Sequence, residues 1–508
     1  MLDVLFVTPN SASNAYQELA KVYSAIETPT WSLLLAESCR SKGFSCAILD
    51  ADAERLSLDN CLKRIKEINP RLILFVLYGQ NPNSGTTSMI GAIELSDFLK
   101  EEEVNVPLGF VGSHVSALPK EVLKINSVDI VLLNEGTYAL HNLLKSNLSS
   151  DLPKINGIGY KIKDGLKVGL ILNKPEKPVP QDRMDFDLPG YAWDLLPFKN
   201  KPLDMYRAHF WHAEFNHDKR TPFAAIYTSL GCQFACSFCM INIINRVDNN
   251  DDVNAAHSKG MRFWSVDWVS REFKKLADLG VETIRISDEM FFLNKKYYKP
   301  ILENIVENDY KFNMWAYSRV DTVRRDALEL FKKAGVNWLA LGIEAGNQLV
   351  RQEVSKGSFK EVNIKDICKE ISDYDVNIIS NYIFGFPEDN METMQQTLDL
   401  ALELNTETAN FYPCQALPGS PLYTMAKMKN LDLPTEYSEF GFLTYDSKPM
   451  GTKFLSSRQV LEFRDKAWTK YFTDKNYLDL VEKKFGINQK NNVIEMAKIK
   501  LSRKLIDK

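Results

Sequence analysis

The stretch Thr228–Asn242 reads TSLGCQFACSFCMIN and holds three of the chain's eight cysteines. Cys232, Cys236 and Cys239 have the spacing C-x3-C-x2-C. The apolar segment AAIYTS (224–229) comes just before them and has the pattern of a buried strand. We therefore expect the cysteines on the loop at the carboxyl end of that strand.

Strand-like and helix-like segments alternate after this loop. Helices such as SREFKKLADLG and METMQQTLDLALEL separate the apolar runs. Together with AAIYTS, six βα units are predicted, and they indicate a partial TIM-like (β/α)6 barrel over residues 221–425, with active loops at the carboxyl ends of its strands. The five further strands are TIRISDE (283–289), NMWAYSR (313–319), WLALGIEA (338–345), NIISNYIFG (377–385) and TANFYPCQA (408–416).

Residues 1–150 show a similar alternation with shorter apolar runs, which is typical of strands buried on both faces. Five such units predict a doubly wound α/β sheet, in which ligands bind at the carboxyl ends of the strands. Those ends are the loops beginning at Thr8, Tyr78, Gly112 and Asn134. No G-x-G-x-x-G follows the first strand, so a dinucleotide site is not expected. The five runs are VLFVTP (4–9), CAILDA (46–51), LILFVL (72–77), PLGFVG (107–112) and IVLLN (130–134).

Two other regions complete the domain prediction. Residues 151–220 form a linker with many prolines and a small hairpin that turns at Asp164-Gly165. Residues 426–508 are mostly helical. The net charge of −4 gives no general attraction to nucleic acid. No apolar run reaches the roughly 18 residues of a membrane helix, and the start MLDVLFVTPN lacks a signal peptide's basic region, so we expect a cytoplasmic protein without a transmembrane segment.

In the reducing cytoplasm, clustered cysteines indicate metal binding or catalysis rather than disulfides. A structural zinc site needs four ligands, and no partner with zinc-like spacing follows the three cysteines. Three thiolates on one loop can hold three irons of a [4Fe-4S] cluster and leave the fourth iron open for another ligand. Zinc, or three unrelated cysteines, are the alternatives.

The motif, with Phe238 before its third cysteine, resembles that of the radical S-adenosylmethionine (radical SAM) superfamily. The resemblance implies a [4Fe-4S] cluster whose open iron binds SAM, and a 5′-deoxyadenosyl radical made from SAM with an electron from an external donor of the flavodoxin or ferredoxin type. Cofactors carry such chemistry, while the protein positions them.

Four further barrel segments resemble the same family and imply SAM-binding residues. Asp288 or Glu289 in ISDEMFF would meet the SAM amine, although Asp also caps helices well. Arg319 would contact the SAM carboxylate or the substrate, or form a surface salt bridge. Glu344 in LGIEAG would make a polar contact to SAM. Gly385 in YIFGFPED would let the backbone approach the adenine, or would belong to an ordinary turn.

The first domain resembles that of the cobalamin-binding radical SAM class, which implies a flavodoxin- or Rossmann-like fold and bound cobalamin. The resembling segments include ETPTWSLLLAESCRSKGFSCAILDAD, GSHVSALPKEVL and VDIVLLNEGTYALHNLL. Two segments depart from the class pattern: Pro-Thr-Trp replaces Pro-Leu-Gly, and Asn-Glu-Gly-Thr replaces G-E-G-E. The D-x-H-x-x-G motif is absent, which implies cobalt without an imidazole ligand from that loop.

Cobalamin is expected across the carboxyl ends of the first sheet, where small polar residues suit its amide-fringed ring and nucleotide tail. Ordinary turn residues are the alternative, and His114 is interpreted as a structural hydrogen bonder rather than a cobalt ligand. The residues expected near cobalamin are Tyr78, Gly79, Ser84, Gly112, His114, Ser116, Glu135 and Gly136.

The resemblance implies a C-methyltransferase that uses SAM twice, as methyl source by way of methylcobalamin and as radical source. The alternatives are oxidation, cyclisation or ring rearrangement without methyl transfer, and a zinc-stabilised binding protein. The expected substrate is a small molecule or a biosynthetic intermediate, and the sequence does not indicate which one. The segment 205–220, with His209, His212 and His217, either shapes a substrate pocket or packs as a linker, and Cys414 either points into the barrel or packs in its core.

Overall fold

Seven strands form the sheet of the amino-terminal part in this computed structural model, which describes residues 1–164, 167–250, 253–355, 359 and 361–507. The strands are β1 (Val4–Thr8), β2 (Cys46–Asp50), β3 (Ile73–Leu77), β4 (Leu108–Gly112), β5 (Ile130–Leu132), β6 (Ile158–Asp164) and β7 (Lys167–Leu172). The helices are α1 (Ala12–Tyr16), α2 (Leu19–Val22), α3 (Thr30–Ser41), α4 (Leu58–Ile68), α5 (Gly85–Glu101), α6 (Ser113–Ala117), α7 (Pro119–Leu123) and α8 (Thr137–Lys145).

The sheet order is β2-β1-β3-β4-β5-β6-β7, and the first five strands are parallel. This order is that of flavodoxin-like sheets, so the predicted doubly wound fold is confirmed. The hairpin that we expected in the linker pairs antiparallel with β5 and extends the sheet. Its predicted turn, Asp164-Gly165, lies partly outside the described residues, because Gly165 is not among them.

Alternate residues of β1 explain why helices cover both faces of this sheet. Successive side chains of a strand point to opposite faces. Val4 and Phe6 belong to one buried core, and Leu5 and Val7 belong to another. A strand that is apolar on both faces must be covered on both, which places α3 and α8 on one side and α4 and α5 on the other.

The second sheet has six parallel strands in the order β15-β14-β13-β12-β11-β8, which confirms the predicted partial barrel. Its strands are β8 (Phe223–Ile226), β11 (Thr283–Ile286), β12 (Asn313–Arg319), β13 (Val336–Glu344), β14 (Asn377–Phe384) and β15 (Thr408–Pro413). The helices of the linker and barrel are α9 (Met184–Asp187), α10 (Val266–Asp278), α11 (Lys295–Glu307), α12 (Leu328–Lys333), α13 (Gln348–Val354), α14 (Ile364–Asp373), α15 (Met391–Leu404) and α16 (Pro421–Met428).

A short two-stranded arm separates the first barrel strand from the cysteines, which the sequence did not predict. β9 (Ser229–Cys232) pairs antiparallel with β10 (Gly260–Phe263). Gly231 has φ +87°, and a Cβ there would lie 2.3 Å from the carbonyl oxygen of Gly260. Only glycine allows this close pairing, which ends at Cys232.

Three helices close the region after the barrel, as the sequence indicated. They are α17 (Ser457–Phe472), α18 (Lys475–Phe485) and α19 (Ile487–Ala497). The Arg464 Nε donates to the carbonyl oxygen of Phe411 at 2.7 Å, and the Tyr471 hydroxyl donates to that of Thr406 at 2.7 Å. The first of these helices therefore covers β15, an edge of the open barrel.

Candidate active site

A cavity of about 500 Å³ lies between the carboxyl ends of the two sheets. Its wall takes residues from the loop after β3, from the segment 205–220, from the inside of the barrel and from the carboxyl-terminal helices. The carboxyl ends of parallel strands are where α/β folds bind ligands. One chamber therefore lies between the two sets of strand ends at which ligands were predicted.

The side chains of Cys232, Cys236 and Cys239 all line this cavity. The backbone N–H of Cys232 donates to Asn242 Oδ1 at 2.8 Å, and Asn242 Nδ2 donates back to the Phe234 carbonyl at 3.0 Å. This clamp fixes the loop. Burial raises the pKa of the Cys232 thiol to about 12 and that of Cys236 to about 11, so the thiols need a cationic partner to ionise.

Within the described residues, no three His, Cys, Asp or Glu side chains converge on a single metal-ion position. A four-iron cluster does not need such convergence, because each cysteine binds a different iron. Three thiols around one chamber fit this larger group better than a structural zinc ion, which takes four converging ligands.

Two carboxylates lie in the cavity wall near the cysteines. Burial raises the pKa of Glu289 to about 8 and that of Glu344 to about 7. Glu289 Oε1 is buried without a hydrogen-bond partner among the residues that the structure describes. Buried carboxylates of this kind favour a bound cation, such as an amine.

Asp288, the other acidic candidate, has internal partners instead. Its carboxylate accepts from the Thr228 N–H at 2.6 Å and from the Thr228 hydroxyl at 2.7 Å. Burial raises its pKa to about 6, although these hydrogen bonds oppose the shift. Asp288 joins the end of β8 to β11, while its neighbour Glu289 faces the cavity.

Arg319 lines the cavity at the end of β12 and is largely buried. Its Nε lies 2.6 Å from Asp321 Oδ1, and its guanidinium stacks 3.8 Å from the centre of the Phe234 ring. Burial lowers the pKa of Arg319, but hydrogen bonding to Asp321 and the charge of that carboxylate raise it overall. The guanidinium is thus placed between the cysteine loop and the barrel, and is not a surface salt bridge.

Glu344 is positioned by an unusual backbone that the sequence did not reveal. It has φ +67°, at an irregularity in the pairing of β13 with β14. A Cβ on Gly342 would lie 2.6 Å from Glu344 Oε1. The carboxylate therefore occupies the space that a side chain at 342 would fill.

Gly385, which was expected beside the adenine, packs against a carboxyl-terminal helix and does not line the cavity. Gly385 has φ +91°, and a Cβ there would lie 2.5 Å from Val460 on α17. Glycine is therefore required at position 385 by the packing against α17. Phe238 lines the cavity and packs against Phe386, with ring centres 5.5 Å apart.

A second, smaller cavity of about 130 Å³ lies at the carboxyl ends of β1 and β3. Tyr78, Gly79 and Ser84 line it, and Ser84 also lines the large cavity. Three hydroxyls belonging to its wall are buried and have no hydrogen-bond partner in the described part of the chain: those of Thr8, Ser11 and Ser32. Such hydroxyls fit a polar ligand, and the tail of a cobalamin would supply the missing partners.

The remaining predicted cobalamin residues make internal contacts beneath the strand ends. His114 contacts Thr86 Oγ1 at 3.1 Å and Glu121 Oε1 at 3.3 Å, as expected for a structural hydrogen bonder. Glu135 pairs with Arg262 at 2.8 Å and so joins the first domain to β10. The structure does not place these side chains in either cavity. Gly112, Ser116 and Gly136 do not line either cavity. A Cβ on Gly112 would meet the Leu77 carbonyl and one on Gly136 would meet Val111. Ser116 Oγ donates to the Gly112 carbonyl and accepts from the Asn134 N–H, both at 2.8 Å.

Sequence reasoning marked the loop 78–88 but missed Asn83, which reaches the cysteines. Asn83 Nδ2 lies 3.7 Å from Cys239 Sγ, and Asn83 Oδ1 accepts from the Met240 N–H at 3.0 Å. It also missed the buried ion pair of Glu27 and Arg285. His209 Nε2 lies 3.0 Å from Glu27 Oε1 in this pair. Their separation in the chain, by 156 residues or more, hid both contacts.

The segment 205–220 both packs and lines the cavity. His212 is fully buried and contacts the Asn313 carbonyl at 2.9 Å, while His209 and Trp211 belong to the cavity wall. His217 stacks on Phe210, with ring centres 4.7 Å apart. Cys414 is buried and also lines the cavity, where burial raises the pKa of its thiol.

The side chain of Gln17, in the amino-terminal domain, bonds two segments of the carboxyl-terminal region beside this chamber. Gln17 Nε2 donates to the carbonyl oxygens of Leu443 at 2.7 Å and Ser502 at 3.1 Å, and Gln17 Oε1 accepts from the Ser502 N–H at 3.2 Å. Tyr16 and Leu19, on either side of Gln17, line the cavity. The tether therefore holds one cavity wall to the carboxyl-terminal region.

Comparison with known proteins agrees with this layout. Residues 226–401 match the family model of the radical SAM superfamily, and residues 19–144 match that of the B12 binding domain. The chain is 25% identical over 475 residues to an uncharacterized methyltransferase of Pyrococcus horikoshii, covering 93% of both proteins. It is 24% identical over 499 residues to an anaerobic magnesium-protoporphyrin IX monomethyl ester cyclase of Rubrivivax gelatinosus, covering 94% of this chain and 78% of the relative.

The fold is also that of a solved structure, the radical SAM methyltransferase TsrM of Kitasatospora setae with cobalamin and a [4Fe-4S] cluster bound. The TM-score is 0.68 at 14% sequence identity, and the alignment covers 98% of this chain and 99% of TsrM. The barrel and its cysteine loop thus make this protein a radical SAM enzyme. With the B12-binding domain in front, it belongs to the cobalamin-binding radical SAM enzymes.

No helix in the described ranges has the length and apolar character needed to span a membrane.

Proposed function

We propose that the chain is a cobalamin-dependent radical SAM C-methyltransferase acting on a small molecule. The observation that carries this proposal is the shared chamber: one cavity is lined both by the three cysteines of the barrel and by Asn81, Asn83 and Ser84 of the B12-binding domain. Methyl transfer to an unactivated carbon needs both cofactors to reach the same substrate atom, and a single chamber allows this.

When bound, the cluster and SAM supply a radical that removes hydrogen from carbon, and cobalamin supplies a carrier for the methyl group. Cys232, Cys236 and Cys239 hold the cluster in this proposal. The carboxylates of Glu344 and Glu289 bind the amine of SAM, because burial makes both favour a nearby cation.

The other residues of the site orient SAM and exclude water. Arg319 faces the carboxylate of SAM, and the rings of Phe234 and Phe238 cover the cysteine loop. The hydroxyls of Thr8, Ser11 and Ser32 bind the polar tail of cobalamin.

Names of relatives favour methyl transfer and also supply the second candidate. Curated relatives include a cytidylyl-2-hydroxyethylphosphonate methyltransferase and a hopanoid C-3 methylase. The cyclase relatives support cobalamin-dependent oxidation, cyclisation or rearrangement without methyl transfer. The two functions differ in what becomes of SAM.

The experiment is anaerobic turnover of the reconstituted enzyme with SAM that carries a trideuterated methyl group, using extracts as a source of substrate. Methyl transfer predicts S-adenosylhomocysteine and 5′-deoxyadenosine together, and a product heavier by a deuterated methyl group. 5′-Deoxyadenosine without S-adenosylhomocysteine would support the second function. Absence of both SAM products would overturn the enzyme proposal.

The proposal also includes an electron donor of the flavodoxin or ferredoxin type and a cytoplasmic location. A low-potential donor is required to reduce the cluster. The eight free thiols suit a reducing compartment.

A further inference from the structure

The charged side chains of the large cavity lie at its cysteine end. In the described part of the wall, the acidic and guanidinium groups are those of Glu289, Glu344 and Arg319. The Arg319 guanidinium lies 3.8 Å from the centre of the Phe234 ring on the cysteine loop. Glu344 Oε1 and Arg319 Cγ both border the position of a Cβ on Gly342, at 2.6 and 3.9 Å. Glu289 follows Asp288, which accepts from Thr228 at 2.7 Å, four residues before Cys232. All three therefore lie beside the cysteine loop, in the part of the site that the proposed function assigns to SAM.

Another part of the cavity wall is aromatic. Trp211 and Trp315 meet edge to face with ring centres 5.3 Å apart, and Trp468 packs against Phe472 at 5.0 Å. All four residues line the cavity. Large rings of this kind supply apolar area and favour flat, apolar ligands.

The buried charges of Arg285 and Glu27, which pack behind Trp315, are paired with each other. Arg285 is paired with Glu27, and its guanidinium lies 4.8 Å from the centre of the Trp315 ring. Glu27 also binds His209 at 3.0 Å. A charged substrate group would have to break this buried pair to gain a partner, which is costly.

One neutral polar pair stands in the barrel part of the wall. Asn381 and Asn410 are register partners on β14 and β15, and Asn410 Nδ2 donates to Asn381 Oδ1 at 3.0 Å. Asn381 Nδ2 in turn donates to the Leu341 carbonyl at 3.2 Å. Asn410 is half-buried in the cavity wall, and its Oδ1 has no hydrogen-bond partner within the described residues. The carboxamide thus keeps an acceptor and one N–H for a ligand.

From this distribution we propose that the substrate is an uncharged, largely apolar molecule with a ring system, and that Asn410 binds its hydroxyl or carbonyl group. The inference rests on the proposed function and names its substrate class. Asn410 is then a specificity-determining residue, since a neutral amide cannot offset a charge and an unpaired charge in this wall is strongly disfavoured.

A matched series of probes tests the inference by binding alone. Equilibrium dialysis of the full chain, loaded with cluster and cobalamin, is measured against naphthalene, 2-naphthol, 2-naphthoate and 2-(aminomethyl)naphthalene at pH 7.5. We expect 2-naphthol to bind most tightly, at least about tenfold more tightly than either charged congener. Tighter binding of a charged congener, or no binding by the whole series, would overturn the proposal.

Two variants test the anchor itself. Asn410→Leu should weaken the binding of 2-naphthol about fivefold and leave that of naphthalene unchanged, because one hydrogen bond is lost while the apolar wall remains. Asn410→Asp should make 2-(aminomethyl)naphthalene the preferred ligand. Asn308→Leu, at the exposed end of α11, is the matched control and should keep the wild-type order.

An equal loss for naphthalene and 2-naphthol in Asn410→Leu would show a packing role and reject the anchor. The dialysis result does not depend on catalysis, so it is separable from the proposed function. Formation of S-adenosylhomocysteine and 5′-deoxyadenosine tests methyl transfer by itself, whichever probe binds.

Discussion

Asn83 in the B12-binding domain and Cys239 in the radical SAM domain are in contact, with Asn83 Nδ2 3.7 Å from Cys239 Sγ. The same side chain accepts from the Met240 N–H at 3.0 Å. One residue of the first domain therefore touches both the thiol and the backbone of the cysteine loop.

Hydrogen bonds to cysteine sulfur are among the factors that set the potential of an iron–sulfur cluster. Replacing Asn83 with alanine removes a donor that stabilises added negative charge on the cluster. We expect Asn83→Ala to shift the cluster potential to a more negative value, measured by a redox titration followed by electron paramagnetic resonance. Asn60→Ala, at an exposed position of α4, should leave the potential unchanged.

The three cysteines of the loop should be required for iron, and the other buried cysteines should not. Reconstituted wild type should contain about four irons per chain. Cys232→Ala, Cys236→Ala and Cys239→Ala should each lose most of this iron, whereas Cys61→Ala, in the core of the first domain, should keep it. Iron and sulfide analysis gives the result, and full iron content in all three loop variants would contradict the cluster assignment.

Glu344 should contribute to SAM binding. Glu344→Gln removes the charge that we assign to the SAM amine, and we expect the Kd for SAM to rise about tenfold, equivalent to roughly 1.4 kcal/mol, with iron content unchanged. Gly342→Ala should weaken binding in the same direction, because its Cβ would lie 2.6 Å from Glu344 Oε1. Equilibrium dialysis with labelled SAM measures both. Glu307→Gln, at an exposed position of α11, is the control.

His212 should make the protein sensitive to acid. Burial lowers its pKa from 6.5 to about 3. The unfolded chain therefore binds the proton first, and the stability due to neutral His212 is full above pH 6.5 and is lost as the pH falls from 6.5 towards 3. Between pH 6.5 and pH 5 this loss is about 2 kcal/mol.

Thermal unfolding of the apo protein checks this expectation. His212→Gln should be less stable than wild type at pH 7.5, and the difference should shrink as the pH is lowered to 5. Asn308→Gln, at an exposed site that carries no titratable group, should show a constant difference. A constant difference in His212→Gln as well would mean that His212 is not held neutral.

Gly385 should be intolerant of a side chain for two separable reasons. Gly385→Ala places a Cβ 2.5 Å from Val460 and forces alanine to φ +91°. We expect a loss of roughly 1–3 kcal/mol in stability. Adding Val460→Ala should recover the steric part but not the backbone part, as read from thermal unfolding midpoints. Full recovery in the double variant would show that the backbone conformation carries no strain.

Local patterns were sufficient for the strands, the cysteine loop and the order of the domains. The apolar runs at 73–77 and 377–384 are strands as expected, because continuous apolar runs of this length are typical of strands buried on both faces. The resemblance supplied the cofactors. Neither the local patterns nor the family resemblance predicted the two-stranded arm that ends at Cys232, because it depends on a close approach between Gly231 and Gly260.

Contacts distant in sequence were the main omission. Asp288 and Glu289 are adjacent and chemically alike, yet one bonds Thr228 and the other faces the cavity. Their difference is decided by the packing of β8 against β11, which no local pattern contains. The pairing of Glu27 with Arg285 crosses from one domain to the other and was invisible for the same reason.

The Gln17 tether also bears on how the protein is made. A ribosome releases the first sheet long before Ser502, since β7 ends at Leu172. Domains fold as units during synthesis, with amino-terminal domains folding first. The wall that carries Tyr16 and Leu19 can therefore fold early, but its contacts with Leu443 and Ser502 form only after the barrel has been synthesised. Closure of the chamber on that side thus follows synthesis of both sheets.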